Sequence, residues 1–336
     1  MDSPTDNKMT YETGVHIKIG NYTFTRCNEV VIEKSTAIVQ DTARIKLPLT
    51  AVVETKGQPA TTIETAQVFK VGDKVEIRLI YKGYYDEVEF RGFVKRINPG
   101  QPLEIECEDA IYLLRQKNIK KSWESTTLQQ VLAEIVSGTA INLAGNIPGI
   151  TLKPFGINDV DGAYALQKLV DEFGLRAYIN AEGQLWCGLA FTQSEGKVKY
   201  NINGDSTNVV KANDLKWRAK EDIKIKVKAI NIRKDNTRTE VELGDEDGGL
   251  RTLNFYNISS QAELEKLAKQ KLEELKFDGY EGKIETLLIP AAIPGMAAEL
   301  SDGLFPARSG NYYVESVKTK FGTGGARREV EMGIKI

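Results

Sequence analysis

Apolar and polar residues alternate with a two-residue period through the first third of the chain. In VHIKIGNYTF, Val15 and Ile17 alternate with His16 and Lys18, and the same period recurs in ARIKLPL, DKVEIRLIY, DEVEFRGFVKRI and PLEIECED. This alternation, interrupted by Gly, Pro and Asn, is typical of half-buried antiparallel strands. A succession of short strands predicts a β-barrel or a β-sandwich for residues 11–110.

The apolar spacing becomes helical after Asp109. STTLQQVLAEIVSG and NDVDGAYALQKLVDEFG each carry an apolar stripe with helical spacing and are predicted to be helices. Ser125 or Thr126 is suited to cap the first helix, and Gly174 is suited to the left-handed end of the second. LRAYINAEGQLWCGLAF predicts a hairpin. We expect residues 111–205 to form a small α+β unit whose core contains Leu128, Leu132, Leu166, Leu169 and Phe173.

Two-residue alternation returns in the last part, residues 206–336. In DIKIKVKAINI, Val227 and Ala229 belong to an apolar face and lysines to the other. A helix expected at 260–277 interrupts the strands and begins with a capping box between Ser260 and Glu263. This part is therefore predicted to be a second β unit.

Two stretches of the chain share an order of features. VGDKVEIRL and FRGFVKRINPGQPLEIECED correspond to PGMAAELSD and SGNYYVESVKTKFGTGGARREVEMG. Each stretch has a Gly-led turn, a strand, a Gly-opened strand, a Gly-bearing turn and a Glu-rich closing strand. This internal echo predicts two related β units on either side of the α+β unit.

The GTGG segment at residues 322–325 allows two interpretations. A phosphate-binding loop needs its glycines to lead into a helix. The residues that follow, EVEMGIKI, alternate as a strand does, so GTGG is predicted to be the turn of a β-hairpin. On this interpretation no nucleotide binds there, and Arg327 and Arg328 are expected to be dispensable for the fold.

Composition and motifs point away from catalysis and from a bound cofactor. The chain of 336 residues has a formal net charge of −2 and one histidine, His16, on a predicted strand. The HExxH, GxSxG and CxxC motifs are absent, and the three cysteines lie far apart, as in a protein of a reducing compartment. GDEDGG lacks EF-hand spacing and is predicted to be a solvated hairpin tip rather than a metal site. No catalytic, cofactor-binding or metal-binding residue is assigned.

Lys224, Lys226 and Lys228 form a row of like charges on one predicted strand face. Such a row repels itself unless water or an anionic partner covers it. One interpretation is a wet face that also protects a sheet edge against aggregation. The other is a surface past which an anionic polymer moves. These three lysines are therefore the candidate wet or lumen-facing basic strand.

From about Val15 to its C-terminus, the chain resembles the baseplate hub proteins of tailed phages. This family includes the late-control tail proteins of Mu-like phages and the N-terminal hub portion of type VI secretion spike proteins. The segments that carry the resemblance are FKVGDKVEIRLIY, EVEFRGFVKRINPGQPLEIECEDAIYLL, SWESTTLQQVLAEIV, ALQKLVDEFGLRAYINAEGQLW, IPGMAAELSD and SGNYYVESVKTKFGTGGARREVEMGIKI. Their order over nearly the whole length, rather than any catalytic signature, makes the resemblance specific.

The resemblance implies two related β-barrel domains, 11–110 and 206–336, that flank the α+β domain at 111–205. It implies a homotrimeric ring that joins the tail tube above to a spike protein below, contacts other baseplate proteins and surrounds part of the genome-delivery channel. DNA or the tape measure would touch the lumen transiently. The expected location is the virion tail baseplate, assembled in the bacterial host cytoplasm without stable membrane association. The long spike or lysozyme-like extension of some relatives is not recognised, so the spike is expected to be another chain.

Two functions of other classes stay open beside this one. The first is a carbohydrate-binding β-protein, and the second is a carboxylate-dependent cell-wall hydrolase. The order of the segments favours a structural tail hub protein that is not an enzyme.

Overall fold

The computed structural model describes residues 12–53, 61–152, 154–189, 195–204, 207–212, 214–232, 237–256, 258 and 260–336. Most of the polar N-terminal stretch lies outside these residues. Within them the chain forms 25 strands and five α-helices, so the protein is mainly β, as predicted.

The elements follow one another in three groups along the chain. The first group consists of β1 (Thr13–Ile19), β2 (Tyr22–Phe24), β3 (Glu29–Ser35), β4 (Thr42–Leu47), β5 (Thr50–Val53), β6 (Thr61–Glu64), α1 (Thr65–Val68), β7 (Lys74–Tyr81), β8 (Tyr85–Asn98) and β9 (Leu103–Glu108). The second group consists of α2 (Ile111–Leu114), β10 (Asn118–Trp123), β11 (Thr126–Thr127), α3 (Leu128–Val136), β12 (Asn142–Leu143), β13 (Thr151–Leu152), β14 (Phe155–Asp161), α4 (Gly162–Phe173), β15 (Leu175–Ile179) and β16 (Gln184–Leu189). The third group consists of β17 (Lys197–Asn203), β18 (Lys216–Arg218), β19 (Ile225–Ile232), β20 (Arg238–Gly244), β21 (Gly249–Tyr256), α5 (Gln261–Leu275), β22 (Gly279–Thr286), β23 (Ala297–Asp302), β24 (Gly310–Gly322) and β25 (Gly325–Lys335).

The strands of the first group bury the apolar residues that the alternation selects. On β1, Val15, Ile17 and Ile19 are buried whereas His16 and Lys18 are exposed. The same alternation buries the apolar side chains of β3, β4, β7 and β9, which share one hydrophobic core with those of β1. The period-2 prediction is therefore confirmed for this group.

The second group has its own core between helices and short strands. Leu128, Leu132, Leu166 and Leu169 are buried in it and Phe173 packs against it, as predicted. Gly174 ends α4 in the left-handed conformation, with φ of 61°. The cap of α3 was predicted one or two residues too early: it is Thr127, whose side chain and that of Gln130 each accept a backbone N–H of the other.

The helix of the third group packs on a small sheet of its own. Strand β19 is the central strand, with β20 antiparallel on one side and β21 parallel on the other. Val227 and Ala229 of β19 are buried against Leu264 and Ala268 of α5. Ser260 caps α5 by accepting the N–H of Glu263. The predicted apolar face is therefore confirmed, and so is the Ser260 half of the predicted capping box.

The GDEDGG segment is not the hairpin tip that the sequence predicted. Strands β20 and β21 pair with β19 and not with each other, so the segment between them crosses over the start of β19. Gly244, with φ of 117°, and Gly248 lie where an added Cβ would come within 2.3 and 2.5 Å of the backbone of Ile225. The close crossing of two backbone segments explains why glycine occupies two positions of this motif. From the sequence alone, such a crossing cannot be distinguished from a hairpin turn.

GTGG is the turn of a β-hairpin, as predicted. Gly322 of β24 lies opposite Gly325 of β25, and the intervening two residues form the turn. No helix follows the glycines, so this segment lacks the geometry of a phosphate-binding loop. The expectation that both arginines are dispensable for the fold stays a prediction for Arg327, which is half-buried, and is not supported for Arg328, which is 1% exposed.

The largest sheet of the described residues contains 13 strands and joins the first group to the third. Its main path runs β18-β22-β25-β24-β3-β4-β9-β8-β7-β1-β2, and β23 and β17 branch from β24. The connection between the groups is the antiparallel pairing of β24 with β3, from Ser316 opposite Ser35 to Gly322 opposite Glu29. The chain thus carries one continuous sheet on which two sets of strands lie side by side.

Candidate assembly interface

The two sets of strands have the same order. In the first set the path is β3-β4-β9-β8-β7-β1, and in the second it is β18-β22-β25-β24-β23-β17. The matching pairs are antiparallel at every step except the last, where β1 is antiparallel to β7 but β17 is parallel to β23. The internal echo in the sequence therefore corresponds to a repeated sheet.

Backbone hydrogen bonds align the long middle strands of the two sets residue by residue. Val94 of β8 exchanges two bonds, of 2.8 and 2.9 Å, with the turn at 72–73. Val314 of β24 exchanges two bonds of 2.9 Å with the turn at 295–296. Gly72 and Gly295 lead these turns with φ of 90° and 91°. Val94 and Val314 are therefore equivalent positions.

The residue after each of these valines is a β-bulge. Pairing of β8 with β9 skips Lys95, and pairing of β24 with β25 skips Glu315. Each bulged side chain makes an ion pair: Lys95 with Glu108 at 3.0 Å, and Glu315 with Arg176 at 3.1 Å. An extra residue at the same place in both sets confirms the alignment, since a bulge shifts the register of the strand that carries it.

Eight of these strands form one wall with a charged face. They are β18, β22, β25, β24, β3, β4, β9 and β8, in this order. Their buried side chains point to the cores, and acids and bases on their other face form cross-strand ion pairs. These pairs are Lys318–Glu33, Lys46–Glu29, Arg44–Glu104, Arg96–Glu106, Lys320–Glu329, Lys283–Glu331, Arg327–Glu285 and Arg218–Glu281. Sequence reasoning missed this face, although its signal was present in the charged residues that alternate with apolar ones.

The wall has an open edge at each end. In the described residues the outer edge of β18 has no strand partner, and neither does the edge of β8 at 96–98 that faces away from β9. The equivalent edges inside the chain are paired with each other, because β3 corresponds to β18 and β24 corresponds to β8. Unpaired edges present rows of N–H and C=O groups that another chain can pair with.

Lys224, Lys226 and Lys228 lie outside this wall, on or next to β19. They are not an unpaired row: Lys224 lies 3.5 Å from Asp247, Lys226 lies 2.9 Å from Glu242, and Lys228 lies 2.6 Å from Glu240. Acids on the neighbouring chain segments thus offset the repulsion that the sequence suggested. The idea that they protect a sheet edge is wrong, since β19 is the central strand of its sheet.

A buried ion pair joins the two sets of strands through their cores. Arg328 of β25 lies 2.5 Å from Glu89 of β8, donates to the carbonyl of Ala292 at 2.6 Å and donates to the hydroxyl of Tyr85 at 3.3 Å. Arg328 and Glu89 are 1% and 5% exposed. Burial and the adjacent Glu89 carboxylate raise the pKa of Tyr85, so this phenol stays protonated and donates to Glu89.

A cavity of about 320 Å³ lies where the three groups of elements meet. Two carboxylates on its wall, Asp41 and Asp109, are tied together because Asp109 accepts the N–H of Asp41 at 3.1 Å. Burial raises the pKa of Asp41 to about 6. Burial and the neighbouring Asp41 raise the pKa of Asp109 well above its ordinary value. Because Asp109 also accepts the N–H of Ile111, and Asp41 that of Ser35, this pair holds the backbone of two segments in place.

Residues suited to metal chemistry are not brought together in the part of the chain that the structure describes. Within the described ranges, no group of three His, Cys, Asp or Glu side chains is placed to hold a metal ion. His16 is exposed on β1, and Cys27, Cys107 and Cys187 are free thiols. Among the described helices, none has the length and apolar character needed to cross a membrane.

Solved structures of phage tail proteins share this fold. A tail protein from Neisseria meningitidis MC58 aligns with a TM-score of 0.67 over 96% of this chain and 97% of its own, at 13% identity. The 43 kDa tail protein of prophage MuSo2 from Shewanella oneidensis aligns with a TM-score of 0.63 over 95% of this chain and 97% of its own, at 15% identity. The resemblance drawn from the sequence is thereby confirmed at the level of the fold.

A type VI secretion protein also has this fold. The E. coli c3393 protein, a component of the type VI secretion system with structural similarity to the T4 tail proteins gp27 and gp5, aligns with a TM-score of 0.59 over 95% of this chain and 76% of its own, at 9% identity. No protein-family model matches the chain, and no curated protein matches its sequence. The likeness is therefore one of fold rather than of sequence.

Proposed function

We propose that this chain is a structural component of a phage tail baseplate hub, in which three copies form a ring between the tail tube and the central spike. The observation that carries the proposal is the repeated eight-strand wall with an open edge at each end. Inside the chain, the second set of strands already joins the first sideways through β24 and β3. The same junction, formed between the two open edges, would join one copy to the next.

Such a junction favours a ring over a dimer with twofold symmetry. The two open edges differ, so one edge of a copy meets the other edge of its neighbour, which is a heterologous contact. Heterologous contacts produce closed rings when the rotation between copies closes. Three copies with two sets of strands each would present six similar units to a sixfold tail tube and a threefold face to a spike. This is the arrangement that the resemblance to hub proteins implies.

On this proposal the chain has two β-barrel domains, 11–110 and 206–336, and the α+β domain 111–205 between them. Four of the hydrophobic cores bear on this division: one lies mainly within the first part, one within the second and two mainly within the third. Strand β17, which precedes the boundary at 206, adds Val198, Tyr200 and Ile202 to a core of the third part. The sheet formed by β19, β20 and β21 with α5 is an addition to the second β domain, since the short connection between β3 and β4 takes its place in the first.

The charged face of the eight-strand wall is the surface that we assign to the channel. Its lysines and arginines are paired with glutamates on neighbouring strands, so the face has no long run of one sign. A lumen with balanced charge would neither hold nor repel DNA strongly while it passes, because long-range attraction needs a net field. Lys224, Lys226 and Lys228 would form a wet outer surface instead, since β19 lies outside the wall.

The proposed partners are two further copies of the chain, a tube protein, a spike protein and other baseplate proteins of the virion. Assembly would take place in the cytoplasm of the bacterial host. A structural role needs no cofactor and no catalytic residue. The test is electron microscopy of assembled tails: three copies in a ring at the junction of tube and spike are expected, and density for this chain elsewhere in the particle would contradict the proposal.

The cavity that contains Asp41 and Asp109 is the feature that would support the alternative function, a carboxylate-dependent cell-wall hydrolase. A raised pKa in a cavity is a property of catalytic acids. Here both carboxylates accept backbone N–H groups, which accounts for their burial without catalysis. Turnover of peptidoglycan that disappears in the variant Asp41→Asn would favour the hydrolase.

A further inference from the structure

We infer how the ring closes: the outer edge of β18 in one copy pairs antiparallel with residues 96–98 of β8 in the next copy. This pairing, which we name the closing contact, rests on the proposed ring. It follows from the alignment of the two sets of strands, because β18 and β8 are the equivalents of β3 and β24, and these two strands are paired inside the chain.

The alignment also gives the register of the closing contact. Inside the chain, Glu33 lies opposite Lys318 on the paired strands β3 and β24. Lys318 corresponds to Asn98 for two reasons. Each lies four residues beyond the aligned valine of its strand, and each lies opposite the equivalent glutamate of the neighbouring strand, which is β25 for Lys318 and β9 for Asn98. Glu33 of β3 corresponds to Lys216 of β18, since the residues that they pair with, on β4 and β22, are equivalent in the alignment. Lys216 of one copy therefore lies opposite Asn98 of the next.

The next residue pair in this register is apolar. Trp217 lies opposite Ile97, and both side chains are half-buried within one copy. The ring of Trp217 packs edge-on against Tyr280, with centroids 5.3 Å apart, so it is held in place at the open edge. Pairing would remove both apolar side chains from water, which is favourable because apolar surface is buried.

A third apolar residue adjoins the open edge of β8. Val71, in the turn that pairs with Val94, is 59% exposed. Its equivalent is Pro294, which lines the same cavity as Lys34 and Ser35 at the junction inside the chain. Lys34 corresponds to Trp217 in the alignment. In the ring, Val71 of one copy is therefore expected to contact Trp217 of the other, which explains an apolar residue in an otherwise exposed turn.

The third residue pair of the register joins two like charges. Arg218 lies opposite Arg96, and each has a carboxylate in its own copy, Glu281 at 3.6 Å and Glu106 at 3.9 Å. Like charges directly opposite each other destabilise a strand pair. Salt screens such charges, with a Debye length of about 10 Å at 0.1 M and about 3 Å at 1 M. Ring formation through this register is therefore expected to strengthen as salt rises.

Cysteine cross-linking tests the register directly. The double variant Asn98→Cys, Lys216→Cys places two thiols opposite each other across the closing contact, where copper–phenanthroline as oxidant takes two electrons and two protons leave as the disulfide forms. Directly opposite Cβ atoms are about 4.5–5.5 Å apart, close to the spacing that a disulfide needs. The matched control is Glu33→Cys, Lys318→Cys, the equivalent pair inside the chain. The single variants control for the native cysteines.

The result expected is a covalent ladder ending at the trimer for the test pair, and an internal disulfide without a ladder for the control pair. The fraction of trimer before oxidation should also rise between about 0.05 and about 0.5 M salt. A trimer that forms without cross-linking of the test pair, while the control pair closes, would overturn the closing contact and leave the proposed hub intact. If no trimer forms, even in assembled particles, the proposed function itself fails.

Discussion

Two adjacent arginines show how strongly position in a strand decides the role of a side chain. Arg327 and Arg328 follow the same turn, but the two-residue period of β25 sends them to opposite faces. Arg327 belongs to the charged face, where it lies 3.8 Å from Glu285, whereas Arg328 is enclosed with Glu89 between the two sets of strands. An isolated buried charge is costly, so each member of the buried pair requires the other.

The variant Arg328→Met is expected to destabilise the protein by about 3–5 kcal/mol, because Glu89 is left buried without a counter-charge. Urea unfolding monitored by circular dichroism measures this loss. The matched control is Arg327→Met on the same strand, which should cost about 1 kcal/mol or less, because Arg327 is half-buried and its ion pair with Glu285 is partly solvated. Equal losses in the two variants would contradict the role of the buried pair.

Asp41 and Asp109 make stability depend on pH in a defined window. The pKa of Asp41 rises from 3.8 to about 6 on folding, so between these values the folded chain holds a proton that the unfolded chain has lost. The unfolding free energy should then fall as pH rises from about 4 to about 6, and Asp109, whose pKa is also raised, adds to this fall. The groups that face Asp41 are Lys34, which lowers its pKa, and Asp109, whose own pKa is raised.

The variant Asp41→Asn should flatten this part of the pH dependence, because the substituted amide does not titrate. Urea unfolding at several pH values from 4 to 7 gives the slope. The variant Glu182→Gln, at an exposed position on the rim of the same cavity, should keep the slope of the unaltered protein. A slope unchanged in Asp41→Asn would show that another group titrates.

Sequence patterns predicted side-chain burial well, with one kind of failure. The alternation on β1 and the apolar stripes of α3 and α4 identify the residues that the cores bury. Arg328 and Glu89 violate the pattern because their burial depends on a partner 239 residues away in the chain. Period and composition contain no information on such a distant partner. The burial of Asp41 and of Asp109 likewise depends on a partner that is distant in the chain.

At the scale of elements, local signals located the helices and hairpins but not every connection. Gly174 and Ser260 end and begin helices where expected. GDEDGG has the residues of a hairpin tip, yet it crosses over β19, because a strand from earlier in the chain lies between β20 and β21. Turn composition describes the backbone of a connection and cannot tell which strands it joins.

The crossing makes Gly248 sensitive to substitution. An added Cβ would lie 2.5 Å from the carbonyl carbon of Ile225, so Gly248→Ala should cost about 1–3 kcal/mol through a forced backbone shift. Thermal or urea unfolding measures the cost. Gly149→Ala is the control, since no atom lies within 4 Å of its added Cβ. A hairpin tip would accept both substitutions equally well.

At the scale of the whole molecule, the repeated sheet is the feature on which the proposed ring rests. The sequence indicated the repeat through its order of turns and strands, and the structure supplies the residue alignment through Val94 and Val314 and the bulges after them. The paired edges of β24 and β3, and the open edges of β18 and β8, could not be predicted from sequence, because edges are defined only by which strands become neighbours. These open edges are the ones that the proposed ring would pair.

Native mass spectrometry of the purified protein over a range of concentrations distinguishes the proposed ring from other assemblies. We expect a species of three times 37.4 kDa whose fraction grows with concentration, with no higher closed forms. A dimer that accumulates in place of the trimer would contradict a heterologous ring, because a closed dimer pairs one surface with its own copy. A protein that stays monomeric at every concentration and in assembled particles would contradict the hub altogether.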